Sequence, residues 1–384
     1  MAQGKSRKAF IIIGLFFIAL GIYLSGVAGQ DKLNLPYRIV PHTSGDLANP
    51  GDILFIGDTQ VLAWEKAQDT LTTKASAGLR TPLTFTFQGL ENGGIHRVIA
   101  YLHELLADSS LARPKLVVYA LGHAELQEVK IRPVMLHRVQ RQLAKENDSR
   151  WATILHLAPF LRPWVIDVGE PLILGEPQPW PDMREAEELL YREVALQLFP
   201  KELAILAQMI AQAKIRLVVL LAPLNLYQVP AVWPSSTSLT LQKIQREVAQ
   251  YLSKGEFKPA AQLLRPLLKF SGNARTWYDQ GRIEEAMDNF TEAMQAWRTA
   301  ASLNADRDEA FPAYNVIAQQ SAAQLPLAIF DLATPAEKYL WAKIKENAAE
   351  DLAQLTTAKM PGEDFYQAQA AELGTFLQQV LLAP

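Results

Sequence analysis

Cysteine is missing from all 384 residues, so disulfides, thiolate nucleophiles and zinc sites built on sulfur are excluded. An oxidising compartment is not excluded, because absence of cysteine is compatible with export. Histidine is scarce, at six residues, and none of them stands at an H-x-x-x-H or carboxylate spacing that would hold a metal ion. Neither a metal nor any other cofactor is therefore expected. Excess charge is small as well: a formal net charge of −3 gives no global basic field for phosphates, which argues against nucleic acid as a partner. The phosphate-binding pattern G-x-x-x-x-G-K-[ST] and the nucleophile elbow G-x-S-x-G are both lacking.

What the chain has in quantity is apolar residues, 49% of the total, enough for one large core or two ordinary ones. Residues 1–8 form a basic start, with Lys5, Arg7 and Lys8. An uncharged run follows from Ala9 to Gly29, about the length a helix needs to cross the hydrocarbon of a bilayer. Positive charge in front and Asp31 behind orient the chain with its N-terminus in the cytoplasm and its bulk outside. A single-pass inner-membrane anchor and a signal cleaved near Val27-Ala28-Gly29 are both open, and both export the remainder. Residues 30–50 contain turn formers without a sustained period and read as a linker.

After the linker come short apolar runs that stop abruptly. Ile53 to Ile56 ends at Gly57-Asp58, and Leu116 to Leu121 and Leu217 to Leu221 have the same buried character. Leu83 to Phe87 alternates apolar residues with threonine, as a half-buried strand does, and Leu327 to Phe330 ends at Asp331. Between them lie helical patterns, such as Ile95, Val98, Ile99, Leu102, Leu105 and Leu106, and a long helix over residues 185–213. Strands alternating with helices predict a doubly wound α/β parallel sheet, whose chemistry sits at the carboxyl ends of the strands.

Those strand ends resemble the blocks of SGNH (GDSL-type) hydrolases. Gly57-Asp58-Thr59-Gln60 is similar to the G-D-S block, with Thr59 at the nucleophile. Gly89 and Asn92-Gly93-Gly94 are similar to the second block, which places Gly93 at an oxyanion-hole amide. Gly122-His123-Ala124-Glu125 resembles the G-H-N-E form of the third block, with Ala124 where an asparagine completes that hole. Ala222-Pro223-Leu224-Asn225 resembles the strand end of membrane-bound members, and Gly362-Glu363-Asp364-Phe365-Tyr366-Gln367 the D-x-x-H block. There Asp364 falls on the aspartate and Gln367 on the histidine. The resemblance implies a flavodoxin-like, SGNH-type sheet formed by residues 51–238 and 320–384.

Residues 239–319 are too long for a connection and contain a repeat. Gly255, Ala260 and Leu264 recur after 33 residues as Asp288, Ala293 and Trp297, and Trp277, Gly281 and Ala300 fall where tetratricopeptide repeats place bulky and small residues. Asp288 stands where a turn glycine is usual, and a register around Gly281, Ala286 and Phe290 also fits. The segment is thus a TPR-like, all-α insertion that docks a protein, or a helical hairpin that caps the sheet. A second insertion, residues 127–181, is rich in Pro and Trp and reads as a lid, a membrane-interface segment or a subsidiary core.

The chemistry that the resemblance implies is incomplete. Thr59 keeps a hydroxyl, but its methyl crowds attack on a carbonyl; Gln367 is an amide and cannot take a proton; Ala124 removes an oxyanion donor. His123 and His96 are the candidate substitute bases. The expectation is a membrane-anchored envelope protein whose degenerate domain serves binding or assembly, with a glycan or acyl ligand. The alternative is an active esterase or acyl transferase on envelope glycans, with Thr59 as nucleophile.

Overall fold

A computed structural model describes residues 49–122, 124–128, 131, 133–147, 183, 185–227, 239–269, 273–304, 312–346 and 361–383. The apolar run 9–29, most of the linker, most of the insertion 127–181 and His123 lie outside the described residues. The chain divides into two compact units, one containing residues 130–174 and 181–201, the other 41–129 and 202–384.

In the larger unit, strands β1 (Ile53–Gly57), β2 (Phe85–Gly89), β3 (Leu116–Ala120), β4 (Arg216–Leu220) and β5 (Ala328–Phe330) form one parallel sheet in the order β2-β1-β3-β4-β5. The order reverses between β1 and β3, the switch point of a doubly wound sheet, beside which such folds bind their ligands. Every residue of β1 is buried because both sheet faces are covered, which is why the run is continuously apolar. On one face Ile53, Phe55, Leu116, Val118, Val218 and Leu220 pack with a 3-10 helix (Thr59–Ala67), helix α1 (Gln68–Ala75) and the last helix, Glu363–Leu382. Helix α2 (Ile95–Ala107) meets the sheet at β1, burying Val98, Ile99, Leu102 and Leu105 at helical spacing. The half-buried strand starts at Phe85 rather than Leu83 and occupies a sheet edge, where only Phe85 is fully covered.

Helix α3 (Ala124–Gln127) follows β3 directly. Helix α4 (Leu136–Asn147) belongs to the smaller unit, where Glu188 and Arg192 form a buried ion pair at 3.6 Å. Of helix α5 (Glu185–Gln212), residues 185–201 belong to the smaller unit and residues 202–212 to the larger. Its span Ala186–Gln212 is long and apolar enough to cross a membrane by length and composition, yet half of its most apolar stretch is buried within the protein. The burial of Leu203, Leu206, Ala207 and Ile210 along one side is what a packed core helix requires.

The insertion consists of α6 (Leu239–Ser253), α7 (Phe257–Leu268), α8 (Ala274–Ala286), α9 (Phe290–Ser302) and α10 (Pro312–Ala322), so the expected boundary at 319/320 falls inside a helix. Its 33-residue recurrence is structural. Gly255 between α6 and α7 has φ +72°, and Asp288 between α8 and α9 has φ +61°. The closing bonds repeat too: Glu256 N–H to Tyr251 O and Asn289 N–H to Glu284 O are both 2.9 Å. Gly281 is required where it stands, since a Cβ there would lie 2.2 Å from Trp297 Nε1. These helices share the larger unit with the sheet. Asn315 bonds both backbone groups of Ala222, at 2.8 and 2.9 Å, and Tyr227 is held by the Tyr278 hydroxyl on its carbonyl and by Trp297 edge-on to its ring. Helix α11 (Ala333–Glu346) adds Glu337, paired with Arg298, and Trp341, edge-on to Phe290. Helix α12 (Glu363–Leu382) closes the chain, its last turn capped by Arg216, which donates to the Val380 and Ala383 carbonyls.

Candidate functional site

Gly57 ends β1 so close to β3 that a Cβ would lie 2.6 Å from Ala120 O. Asp58 follows, buried, and its carboxylate accepts from Gln60 N–H at 2.9 Å, capping the 3-10 helix, and from Ala124 N–H at 3.3 Å. Gly122 leaves the space for it: a Cβ there would stand 2.0 Å from Asp58 Oδ2. Thr59 opens the 3-10 helix and is exposed, with its Cα against the end of β2 at Gly89. The structure thus brings Thr59, Gly89, Asp58 and Ala124 together at the switch point.

The amides of the second block are already engaged. Gly93 N–H donates to Leu90 O at 2.9 Å, in a turn whose Asn92 has φ +47°. Helix α2 has no capping side chain of its own at Gly94 and no acidic residue in its first turn. Its N-terminus is closed from α3 instead. Ile95 N–H donates to Glu125 Oε2 at 3.1 Å, and His96 and Arg97 N–H donate to Glu128 at 3.0 and 2.7 Å. Two carboxylates on a helix N-terminus are favoured by the orphan amides and the helix dipole. Gly94 permits the approach, since a Cβ would meet Glu128 Oε2 at 2.6 Å. Tyr119 donates its hydroxyl to Glu125, and burial, followed by the charge of Glu125, pushes that phenol well above its ordinary range.

Asp364 and Gln367 lie elsewhere. Asp364 is exposed and accepts from the Tyr339 hydroxyl at 2.7 Å, with Lys343 Nζ at 3.6 Å. Slight burial would raise its carboxyl, but Tyr339 and Lys343 outweigh that and hold it below its usual value. Gln367 donates to Lys66 O, seven residues along the 3-10 helix from Thr59, about 14 Å at 2 Å per residue. Tyr366, next to Gln367 in this helix, turns in and lies edge-on to Trp64. Burial and then the nearby Asp58 charge raise its hydroxyl far above the ordinary value. With Gln60, Trp64, Leu121, Pro223 and Leu332 it lines a strand-end cavity of about 10 Å³, room for roughly one water molecule.

His96 is buried at the start of α2 and does not line that cavity; His123 lies outside the described residues. Among the described residues no group of His, Asp and Glu could hold a metal ion. Glu125, Glu128 and Tyr366 were not among the residues expected from sequence to form the site. Their signals were there: a 13-residue helix entered through Gly93-Gly94 without a capping side chain, and Glu-x-x-Glu just after a strand end. In comparison with known proteins, no family model, no curated protein and no solved structure matches the chain.

Proposed function

We propose that the protein is a non-catalytic, membrane-anchored component of the bacterial envelope, in which a degenerate SGNH-like sheet domain is a scaffold and the helical insertion offers the surface for a partner. One observation carries the non-catalytic part. The groups that would have to stabilise an oxyanion beside Thr59 already serve the protein itself: Gly93 N–H is bonded to Leu90 O, and the first turn of α2 is closed by Glu125 and Glu128. The two buried carboxylates lie against Gly94 of the second block, so that segment offers bonded amides and negative charge rather than the free donors that the transition state of acyl transfer needs. The small strand-end cavity and the distance of Gln367 from Thr59 support the same reading. Export and anchoring rest on the basic start and the apolar run 9–29. The test is turnover of a small activated acetyl ester by the full-length protein beside its Thr59→Ala variant. Equal background in both is expected; a rate that disappears with Thr59→Ala would establish an esterase.

A further inference from the structure

The insertion is divided by charge. Residues 239–269, which form α6 and α7, carry six cations, Lys243, Arg246, Lys254, Lys258, Arg265 and Lys269, against Glu247 and Glu256, a net of +4 in a chain of net −3. The next hairpin, residues 274–302, carries three cations and five acids. All six cations are exposed, and among the described residues the ion pairs of Lys and Arg lie elsewhere and engage none of them. Six like charges in none of those ion pairs, against only two acids on the same hairpin, repel one another, and a bound polyanion relieves that repulsion.

Their arrangement is linear. Lys258, Gln262, Arg265 and Lys269 follow at steps of four, three and four and are all exposed, one stripe along α7 about 16 Å long at 1.5 Å per residue. Lys243, Arg246, Gln250 and Ser253 form a similar stripe on α6, at steps of three, four and three. Each stripe mixes cations with amide or hydroxyl groups. Among the described residues no large apolar residue of this hairpin is exposed; its Ile244, Leu252, Phe257 and Leu263 pack on a core of Val248, Ala260, Leu264 and, from α8, Ile283. The described surface therefore offers neither the aromatic or aliphatic anchor that dominates protein interfaces nor the apolar face that enters a bilayer.

We infer that the α6–α7 hairpin binds a linear, carboxylate-bearing polysaccharide, its cations pairing with carboxylates and Gln250, Ser253 and Gln262 with hydroxyls. The cation spacings on α7, about 10 Å and then 6 Å, suit a chain whose charges recur every one or two sugars. This deepens the binding reading above, and rests on it only for the envelope location. The experiment titrates the full-length protein, in a neutral detergent, with an oligogalacturonate of defined length, a neutral dextran oligomer and polyglutamate. Oligogalacturonate binds best, less tightly as ionic strength rises, and dextran does not bind. The triple change Lys258→Glu, Arg265→Glu, Lys269→Glu weakens binding on the order of tenfold or more. Lys243→Glu with Arg246→Glu acts in the same direction. A control reversal at exposed Arg80, Arg113 and Lys338 changes affinity by no more than about twofold, because screening confines each charge to its neighbourhood. Equal loss in the control, or polyglutamate binding as tightly as the glycan, overturns the inference. Ester turnover dependent on Thr59 would overturn the non-catalytic reading and leave this surface standing.

Discussion

Replacing Glu128 with alanine should unravel the start of α2. The Glu128 carboxylate is 3% exposed and accepts the N–H groups of His96 and Arg97 at 3.0 and 2.7 Å. Alanine leaves both donors without an acceptor, the His96 N–H buried and the Arg97 N–H partly so. A stranded buried donor costs about 1–3 kcal/mol, and these same bonds constitute the helix cap, so its worth is not added again. The expected loss is thus about 2–4 kcal/mol, set against a total stability of about 5–15 kcal/mol for a domain. Relief of repulsion between Glu128 and the neighbouring Glu125 reduces the loss without reversing it. Glu128→Gln should lose less, because its amide oxygen still accepts one N–H. Urea midpoints of the full-length proteins measure the loss, and hydrogen exchange at residues 95–99 locates it. An unchanged midpoint with unchanged exchange in Glu128→Ala would refute the reasoning.

The insertion carries two further expectations. Asp279 is 1% exposed and 3.0 Å from Arg275 Nε; burial lifts its carboxyl from 3.8 to about 6, against the pull of Arg275 and then Arg282. A raised folded-state value in an acid means stability that is full below about pH 4 and lost as pH rises through 6, up to about 3 kcal/mol at 1.36 kcal/mol per unit. Asp279→Asn should therefore be more stable than the natural chain at pH 7.5 and lose that advantage at pH 4, which thermal unfolding at both pH values checks; an advantage independent of pH would show that another group is responsible. Gly281→Ala should destabilise by about 1–3 kcal/mol through collision with Trp297, despite alanine's better helix propensity, and Trp297→Leu in the same chain should recover part of the loss. A higher denaturation midpoint for Gly281→Ala alone would contradict that packing.

How much of this was legible depended on how local each cause is. The central strands were readable, because burial on both faces leaves uninterrupted runs such as Ile53 to Ile56. The edge strand was misplaced by two residues, since alternation at Leu83 continues outside the ladder. The turns at Gly255 and Asp288 could be paired by counting 33 residues, but a left-handed backbone at an aspartate is visible only in the fold. The capping of α2 joins residues 30 or more positions apart, and no window of sequence contains it. Gln367 is different. A four-residue likeness placed it at the base, whereas Phe365, Tyr366, Ala370, Leu373 and Leu377 mark by their spacing the face of α12 that turns inward. Periodicity was the better guide there, because helix geometry decides which side chains can meet Thr59.

The central claim is that no covalent chemistry runs through Thr59, and an acylation or phosphonylation trap tests it without dependence on the natural ligand. Full-length protein and Thr59→Ala would be treated with a fluorophosphonate and with an activated ester, and their intact masses compared before peptide mapping of residues 53–67. Indistinguishable masses, with no adduct on Thr59, are predicted, because the donors that would stabilise the attack are bonded to Leu90, Glu125 and Glu128. A near-stoichiometric adduct on Thr59 that is lost in Thr59→Ala would contradict the account.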